Sequence, residues 1–272
     1  MDPDARQLIA QHAETARLLG VDFLPLGNPP AIEHPHEPEP VTRSDSPAPA
    51  PSFAPSLGVS SAEIRAAYES IRDPQQRLDA LRAKYELDAP HASFAQGFNK
   101  IVFGEGDPCA RLMFIGEAPG QEEDASGRPF VGRAGQLLEK MIVAMGLSRE
   151  TVYICNVLKT RPPNNATPTT QESELCAPYL YEQIRIVKPE AIVTLGLPAT
   201  RTVLKAEGSM GSMRGRWHAF PPKAVGEIEG LGSVPVMPTY HPAYLLRSYT
   251  EDNRRKVWSD LQQVQQRLGL KP

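Results

Sequence analysis

The chain has little cysteine, no long apolar run and no apolar leader. Three cysteines among 272 residues are an odd number and too few for a disulfide framework, which favours a reducing compartment. No run of about 18 apolar residues is present, which excludes a membrane-spanning helix. The first residues lack the basic start and apolar core of a signal peptide. We therefore expect a cytoplasmic protein that does not associate with membranes.

Charge is modest and unevenly divided along the chain. The formal net charge is −3, yet residues 1–88 contain 8 Lys or Arg against 14 Asp or Glu, and residues 89–272 contain 21 against 18. The C-terminal part is therefore mildly basic. Such a balance permits DNA binding without predicting it, because the arrangement of charges on a surface matters more than their sum.

The N-terminal segment differs in composition from the rest. Apolar residues at helical spacing predict a helix over residues 4–20, within an N-terminal unit 1–22 that we expect to bind a protein partner. Ten prolines fall between Pro25 and Pro55, so residues 23–58 are predicted to form a disordered linker. Helical periodicity resumes within residues 60–87. We expect residues 59–272 to form one domain of a monomeric protein.

Beyond residue 100, short apolar segments alternate with helical patterns. We predict strands at Leu112–Ile115, Val152–Asn156, Ala191–Leu195 and Val234–Thr239. We predict helices at about residues 133–145, 171–187, 197–205 and 251–268. This alternation is typical of a parallel sheet covered on both faces by helices, a three-layer α/β/α architecture.

The most constrained stretch follows the first predicted strand. Residues 115–135 read IGEAPGQEEDASGRPFVGRAG, which gathers carboxylates and backbone donors where ligands bind in open α/β sheets. This stretch resembles the first motif of the uracil-DNA glycosylase superfamily, in the form used by its iron–sulfur branch, family 4. Three more segments resemble the family's second strand, third strand and last catalytic loop: VYICNVLKTRPP (152–163), AIVTLGLPA (191–199) and PTYHPAYLLR (238–247).

The resemblance implies both a fold and an activity. The fold is a short four-stranded parallel sheet between helix layers, here with a helical and disordered N-terminal extension. The activity is hydrolysis of the N-glycosidic bond of uracil in single- or double-stranded DNA. The base is flipped out of the stack and an abasic site remains, as in base-excision repair.

The resemblance also assigns roles to three side chains. Phe130 is the ring on which uracil stacks. Asn156 reads the base, because its amide can accept from uracil N3–H while donating to O4, and cytosine presents the opposite pattern. His241 donates to uracil O2 and stabilises the charge that develops on the leaving base.

The remaining pocket residues come from the first motif. Gly116, Ala118, Gly120 and Asp124 are expected to line the substrate site. Many superfamily members carry at position 118 an aspartate that orients the water, so that task falls to Glu117, to Asp124 or to backbone carbonyls. We assign it to Glu117, although the sequence equally permits Glu117 to hold the loop through backbone N–H groups. Gly120 replaces a tyrosine that excludes thymine in the classical enzymes.

DNA contacts are expected around the pocket. Leu245 and Leu246 follow His-Pro-Ala and are candidates for a wedge that enters the duplex as the base leaves. Four cations are candidates for phosphate contacts: Arg133, Lys159, Arg161 and Arg247.

The chain departs from family 4 at the cluster ligands. The four cysteine positions fall on Ala89, Ala92, Thr160 and Cys176, so one ligand of four remains. An iron–sulfur cluster needs several thiolates. We predict that this chain holds no cluster, no other metal and no cofactor.

Two other functions remain compatible with the sequence. A catalytically inactive protein on the same fold would bind DNA or a partner, which the lost cysteines and the acidic extension favour. A hydrolase of free nucleosides would use the same glycosidic chemistry, but it would not need the wedge or the phosphate-binding cations.

Overall fold

The computed structural model describes residues 60–270, whose strands form one mixed sheet. The helix predicted over residues 4–20 and the linker predicted over 23–58 lie outside the described residues. The strands are β1 (Glu105–Gly106), β2 (Leu112–Gly116), β3 (Tyr153–Asn156), β4 (Ala191–Leu195), β5 (His218–Phe220) and β6 (Val234–Thr239).

The strand order is β1-β3-β2-β4-β6-β5, with four parallel central strands and an antiparallel strand at each edge. Every residue of β2 and β4 is buried, so both faces of the sheet are covered, as is typical of parallel strands. Gly116 pairs with Asn156, and Leu195 pairs with Thr239. The carboxyl ends of the central strands therefore lie along one edge.

Helices fill the intervals between the strands of residues 60–270. They are α1 (Ser61–Ala66), α2 (Pro74–Asp88), α3 (Gln121–Ser126), α4 (Arg133–Ala144), α5 (Thr170–Val187), α6 (Leu197–Leu204), α7 (Met210–Met213), α8 (Pro242–Arg247) and α9 (Glu251–Leu268). Helices α1 and α2 both contact α5, which joins the N-terminal helices to the rest of the core. No helix of this part of the chain combines the length and apolarity needed to cross a membrane.

The four predicted strands and the helices predicted within residues 60–270 are confirmed, with small shifts at their ends. The edge strands β1 and β5 were missed because two or three residues are too short to show an alternating pattern. Helices α3 and α8 were missed because each has six residues and lies within a segment that reads as a loop. The four-stranded parallel sheet is thus the centre of a six-stranded one.

Candidate active site

Three of the predicted pocket residues meet around Gly116, the last residue of β2. A Cβ atom on Gly116 would lie 2.4 Å from Cζ of Phe130 and 2.3 Å from Oδ1 of Asn156, so only glycine fits there. The ring centroids of Phe130 and His241 are 5.6 Å apart. An aromatic ring and an amide therefore flank Gly116 at the carboxyl edge of the sheet, and the imidazole lies beside the aromatic ring.

Asn156 presents an unused hydrogen-bond acceptor. The residue is 1% exposed, and its Oδ1 is buried without a hydrogen-bond partner in the structure. Leaving a buried acceptor unpaired costs about 1–3 kcal/mol. A ligand that brings an N–H donor to this oxygen would remove that cost.

Lys159 holds the backbone of Asn156 from the interior of the protein. Its ammonium group is completely buried and donates to the backbone oxygen of Asn156 at 2.6 Å and to Oε1 of Gln183. Burial lowers the pKa of this lysine. The prediction that Lys159 contacts phosphate is therefore wrong, because a lysine followed by an arginine reads as surface although its chain folds inward.

Phe130 is held in an unusual backbone conformation. Its φ angle is +52°, in the left-handed region that costs a non-glycine residue of order 1 kcal/mol or more. The buried guanidinium of Arg149 donates to the backbone oxygens of Phe130 at 2.8 Å and Pro129 at 2.6 Å. Gly135 allows α4 to pack directly on the Phe130 peptide, since a Cβ there would lie 2.0 Å from the Phe130 carbonyl.

Glu123 organises the loop around Phe130. Its carboxylate accepts from the backbone N–H groups of Val131 and Gly132, both at 2.9 Å, and from that of Gly120 at 3.1 Å. These bonds join both ends of the loop that contains α3. The sequence offered one signal for this role, since Glu123 stands at the third position of α3, where a capping carboxylate is common.

Glu117 follows Gly116 and, unlike Glu123, does not hold the loop. It is half-buried, and its carboxylate makes no hydrogen bond to any residue of the described range 60–270. Burial raises the pKa of Glu117, and the positive charge of Arg247 partly opposes that rise. Because Glu123 makes the bonds that hold the loop, the structure does not place Glu117 in its alternative, loop-holding role.

Asp124 does not belong to the pocket. Its carboxylate is completely buried and accepts from the backbone N–H of Asn99 at 2.7 Å, from Asn99 Nδ2 at 2.6 Å and from the backbone N–H of Lys100 at 3.3 Å. The assignment of Asp124 to substrate binding is therefore wrong. Its partners lie some 25 residues away in the sequence, and no local sequence pattern predicts them.

His241 follows β6 and caps α8. Its Nδ1 accepts from the backbone N–H of Ala243 at 3.0 Å, so the neutral ring carries its proton on Nε2. Burial, and next the charge of Arg247, lower the pKa of His241 to about 4. At neutral pH the imidazole is therefore uncharged, with Nε2–H as its one donor.

The turn that carries His241 is fixed by Asp260 of helix α9. The buried carboxylate of Asp260 accepts from Thr239 Oγ1 at 2.7 Å and from two nitrogens of Arg214, at 3.0 and 2.6 Å. Arg214 also lies over the Tyr240 ring, 5.5 Å from its centroid. Sequence analysis missed Arg214 and Asp260, since neither lies in a recognisable motif.

The expected DNA-contacting residues differ in their exposure to solvent. Arg133 and Arg247 are exposed, and Arg161 is half-buried with its Nε donating to Asn165. Leu246 is 38% exposed, whereas Leu245 is 2% exposed and packs in the interior. The wedge assignment is therefore wrong for Leu245, because the helical turn of α8 directs consecutive leucines to opposite sides.

The family's cluster ligands are not present as a set. Cys176 is buried, and its Sγ lies 3.8 Å from the hydroxyl of Tyr85, whose ring stacks on His91 at 5.3 Å. Within residues 60–270, no three His, Cys, Asp or Glu side chains are placed to share a metal ion. One thiol beside two aromatic rings does not fit an iron–sulfur cluster, which needs several thiolates.

Comparisons with known proteins agree with the geometry of the site. The sequence profile of the Uracil DNA glycosylase superfamily matches residues 103–262. The Type-4 uracil-DNA glycosylase of Thermotoga maritima is 44% identical over 165 residues, which are 60% of this chain and 81% of that protein. Its counterpart in Saccharolobus solfataricus is 43% identical over 176 residues, 63% of this chain and 77% of that protein.

A more distant branch also matches. The Type-5 uracil-DNA glycosylase of Pyrobaculum aerophilum is 35% identical over 155 residues, 52% of this chain and 64% of that protein. The profile match covers more than half of the chain, and both Type-4 relatives are spanned over more than two thirds of their length. The chain therefore belongs to the uracil-DNA glycosylase superfamily.

Proposed function

We propose that this protein is a uracil-DNA glycosylase that flips uracil out of DNA and hydrolyses its N-glycosidic bond to initiate base-excision repair. The observation that carries the proposal is the buried, unpartnered Oδ1 of Asn156, which lies beside Phe130, whose ring adjoins His241. Type-4 relatives that carry this activity in their names are 40–44% identical to the chain.

Base recognition follows from the Asn156 amide. The Oδ1 atom accepts from N3–H of uracil, and the Nδ2 group donates to O4. Cytosine offers an acceptor at position 3 and a donor at position 4, so both bonds would be lost. The Lys159 ammonium and the pairing of β3 with β2 fix the backbone of this residue, and the flipped base stacks on Phe130.

Leaving-group stabilisation is assigned to His241. As the bond from base to sugar breaks, negative charge develops on uracil O2. A neutral imidazole with its proton on Nε2 donates to that oxygen without the desolvation cost of a buried cation. The bond from Ala243 to Nδ1 fixes this tautomer.

Water activation is assigned to Glu117. Its carboxylate is not committed to holding the loop, whereas the carboxylates of Glu123 and Asp124 are. Burial raises the pKa of Glu117, which strengthens its carboxylate as a base at pH values where it remains ionised. The backbone atoms of Gly116, Ala118 and Gly120 complete the pocket.

The protein is proposed to work without an iron–sulfur cluster or any other cofactor. Three of the four positions that hold cluster cysteines in family 4 are Ala89, Ala92 and Thr160, and the remaining thiol, Cys176, contacts Tyr85. The proposal rests on this donor set, and no step of the mechanism uses a metal.

The oligomeric state of the protein and its cellular compartment are proposed from its surface and its cysteines. Few large apolar side chains of residues 60–270 are exposed, which supports a monomer. The three cysteines are unpaired, which supports a reducing cytoplasm, where DNA is the substrate. Residues 1–22 are proposed to bind a protein partner, and residues 59–272 to form the catalytic domain.

Replacement of the reading amide tests the main proposal. Asn156→Asp should lower excision of uracil from a single-stranded oligonucleotide by roughly 10- to 100-fold, as expected for loss of one buried hydrogen bond, and should admit some cytosine. Alkaline cleavage at abasic sites measures the excision of uracil and that of cytosine. Asn164→Asp, on the exposed loop that follows, is the matched control and should behave as wild type. Unchanged uracil excision by Asn156→Asp would remove Asn156 from the pocket.

Replacement of the imidazole separates catalysis from binding. His241→Ala should reduce single-turnover excision by about 10²–10³, the usual effect of one donor to a developing oxyanion. The dissociation constant for uracil DNA should change only a few-fold, because phosphate contacts dominate affinity. His218→Ala, a half-buried histidine on β5, serves as control. Undetectable excision by the unmutated protein would instead identify a binding protein that has lost catalysis.

The absence of a cluster is tested on the purified full-length chain. Protein prepared anaerobically should show no iron–sulfur absorption and less than one iron per chain by metal analysis, because one thiol cannot hold a cluster. A cluster-bearing family 4 enzyme purified in parallel controls for loss during handling. Four irons per chain would contradict the proposal.

The role of Arg149 is tested against a similar arginine elsewhere. Arg149→Met should lower both thermal stability and excision, and should weaken inhibition by free uracil at least about tenfold, since Phe130 loses the bonds that hold its ring. Arg111 also binds a carboxylate and a backbone oxygen, but at the amino end of β2. Arg111→Met should therefore lower stability alone. Unchanged uracil inhibition in Arg149→Met would show that Phe130 needs no such support.

A further inference from the structure

Exposed apolar side chains are concentrated next to His241. Five large apolar residues of the described chain are exposed, and three of them lie within six residues: Tyr244 (37%), Leu246 (38%) and Tyr249 (45%). The other two, Leu87 and Val143, lie far away in the sequence and stand alone. We call Tyr244, Leu246 and Tyr249 the aromatic rim, and this concentration indicates a contact surface.

One ring of the rim is anchored from the interior. The rings of Tyr240 and Tyr244 are 4.9 Å apart between centroids and inclined by 33°. The guanidinium of Arg214 lies over Tyr240 and is itself fixed by the buried carboxylate of Asp260. Arg214 and Tyr240 are half-buried and Tyr244 is exposed, so the series ends in an aromatic ring that is open to solvent.

The charge around the rim suits a phosphate backbone. Arg254 lies over the ring of Tyr249, with 4.9 Å from guanidinium to centroid. The nearby Arg255 and Lys256 pair with acids of α9, but Arg247 and Arg254 form no ion pair with any carboxylate in the range 60–270. Two uncompensated cations thus accompany the exposed rings, which is the combination found in proteins that bind single-stranded nucleic acids.

We propose that the aromatic rim binds the unpaired base next to the uracil, with Tyr244 as its stacking platform, and that the enzyme therefore prefers single-stranded DNA. This inference rests on the proposed function. Tyr244 follows His241 by three residues, so a base stacked there is continuous with the one in the pocket. In a duplex the neighbouring base is already stacked and paired.

The test is a double-mutant cycle between protein and DNA. The oligonucleotide carries 2′-fluoro-2′-deoxyuridine, whose fluorine slows glycosidic cleavage, and each neighbouring base is replaced in turn by an abasic spacer. Tyr244→Ala should weaken binding to the intact single strand roughly 5- to 100-fold, the range for loss of one base–aromatic stack. With the spacer on the contacted side, Tyr244→Ala should bind as wild type does. Tyr244→Phe should behave as wild type throughout, and Val143→Ala controls for loss of an exposed apolar group.

Three outcomes would overturn the inference. Equal losses by Tyr244→Ala on intact and spacer-containing strands would show that the ring does not contact a neighbouring base. Loss in Tyr244→Phe as large as in Tyr244→Ala would assign the effect to the hydroxyl. An equal or larger effect on duplex DNA would exclude the single-strand preference. Excision by the unmutated protein is measured separately, so a failure of the proposed function is recognised independently of this cycle.

Discussion

The parallel pairing of Gly116 with Asn156 is the constraint on which the site depends. It brings the last residues of β2 and β3 side by side, and the missing side chain of Gly116 leaves room for the Phe130 ring and the Asn156 amide. Any larger residue would displace one of them. The pocket therefore depends on a backbone register set by buried apolar strands, which is why a rigid sheet and not a flexible loop positions the Asn156 amide.

Buried and half-buried charged side chains support this arrangement. Glu123 fixes the loop, Arg149 fixes the Phe130 carbonyl, and Asp260 fixes the turn before His241 through Thr239. Each charge is bound by several partners, as a buried charge must be if it is not to destabilise the fold. Strain at Phe130 is thus maintained by hydrogen bonds to backbone atoms, which leave the aromatic ring itself uninvolved.

Sequence reasoning predicted what local patterns and motifs encode. The strand at Ala191–Leu195 follows from an apolar run interrupted only by Thr194, and the meeting of Phe130 with Asn156 and with His241 follows from motifs at strand ends. It failed where a polar or apolar residue takes its environment from a distant partner. Asp124 is bound by Asn99, and Lys159 by Gln183, so neither burial is visible along the chain.

Aromatic packing holds together the junction between α2 and α5. Tyr85 of α2 meets Tyr179 of α5 edge to face at 5.1 Å and stacks on His91, whose own ring contacts Phe98. Burial lowers the pKa of His91, so this ring remains neutral among apolar neighbours at physiological pH. Aromatic packing of this kind joins the two helices by direct contact between side chains and does not depend on a bound metal. The pocket residues lie at the carboxyl ends of β2, β3 and β6, whereas this junction is formed by helices α2 and α5, and Lys159 connects the two regions by lying over Phe103 and donating to Asn156.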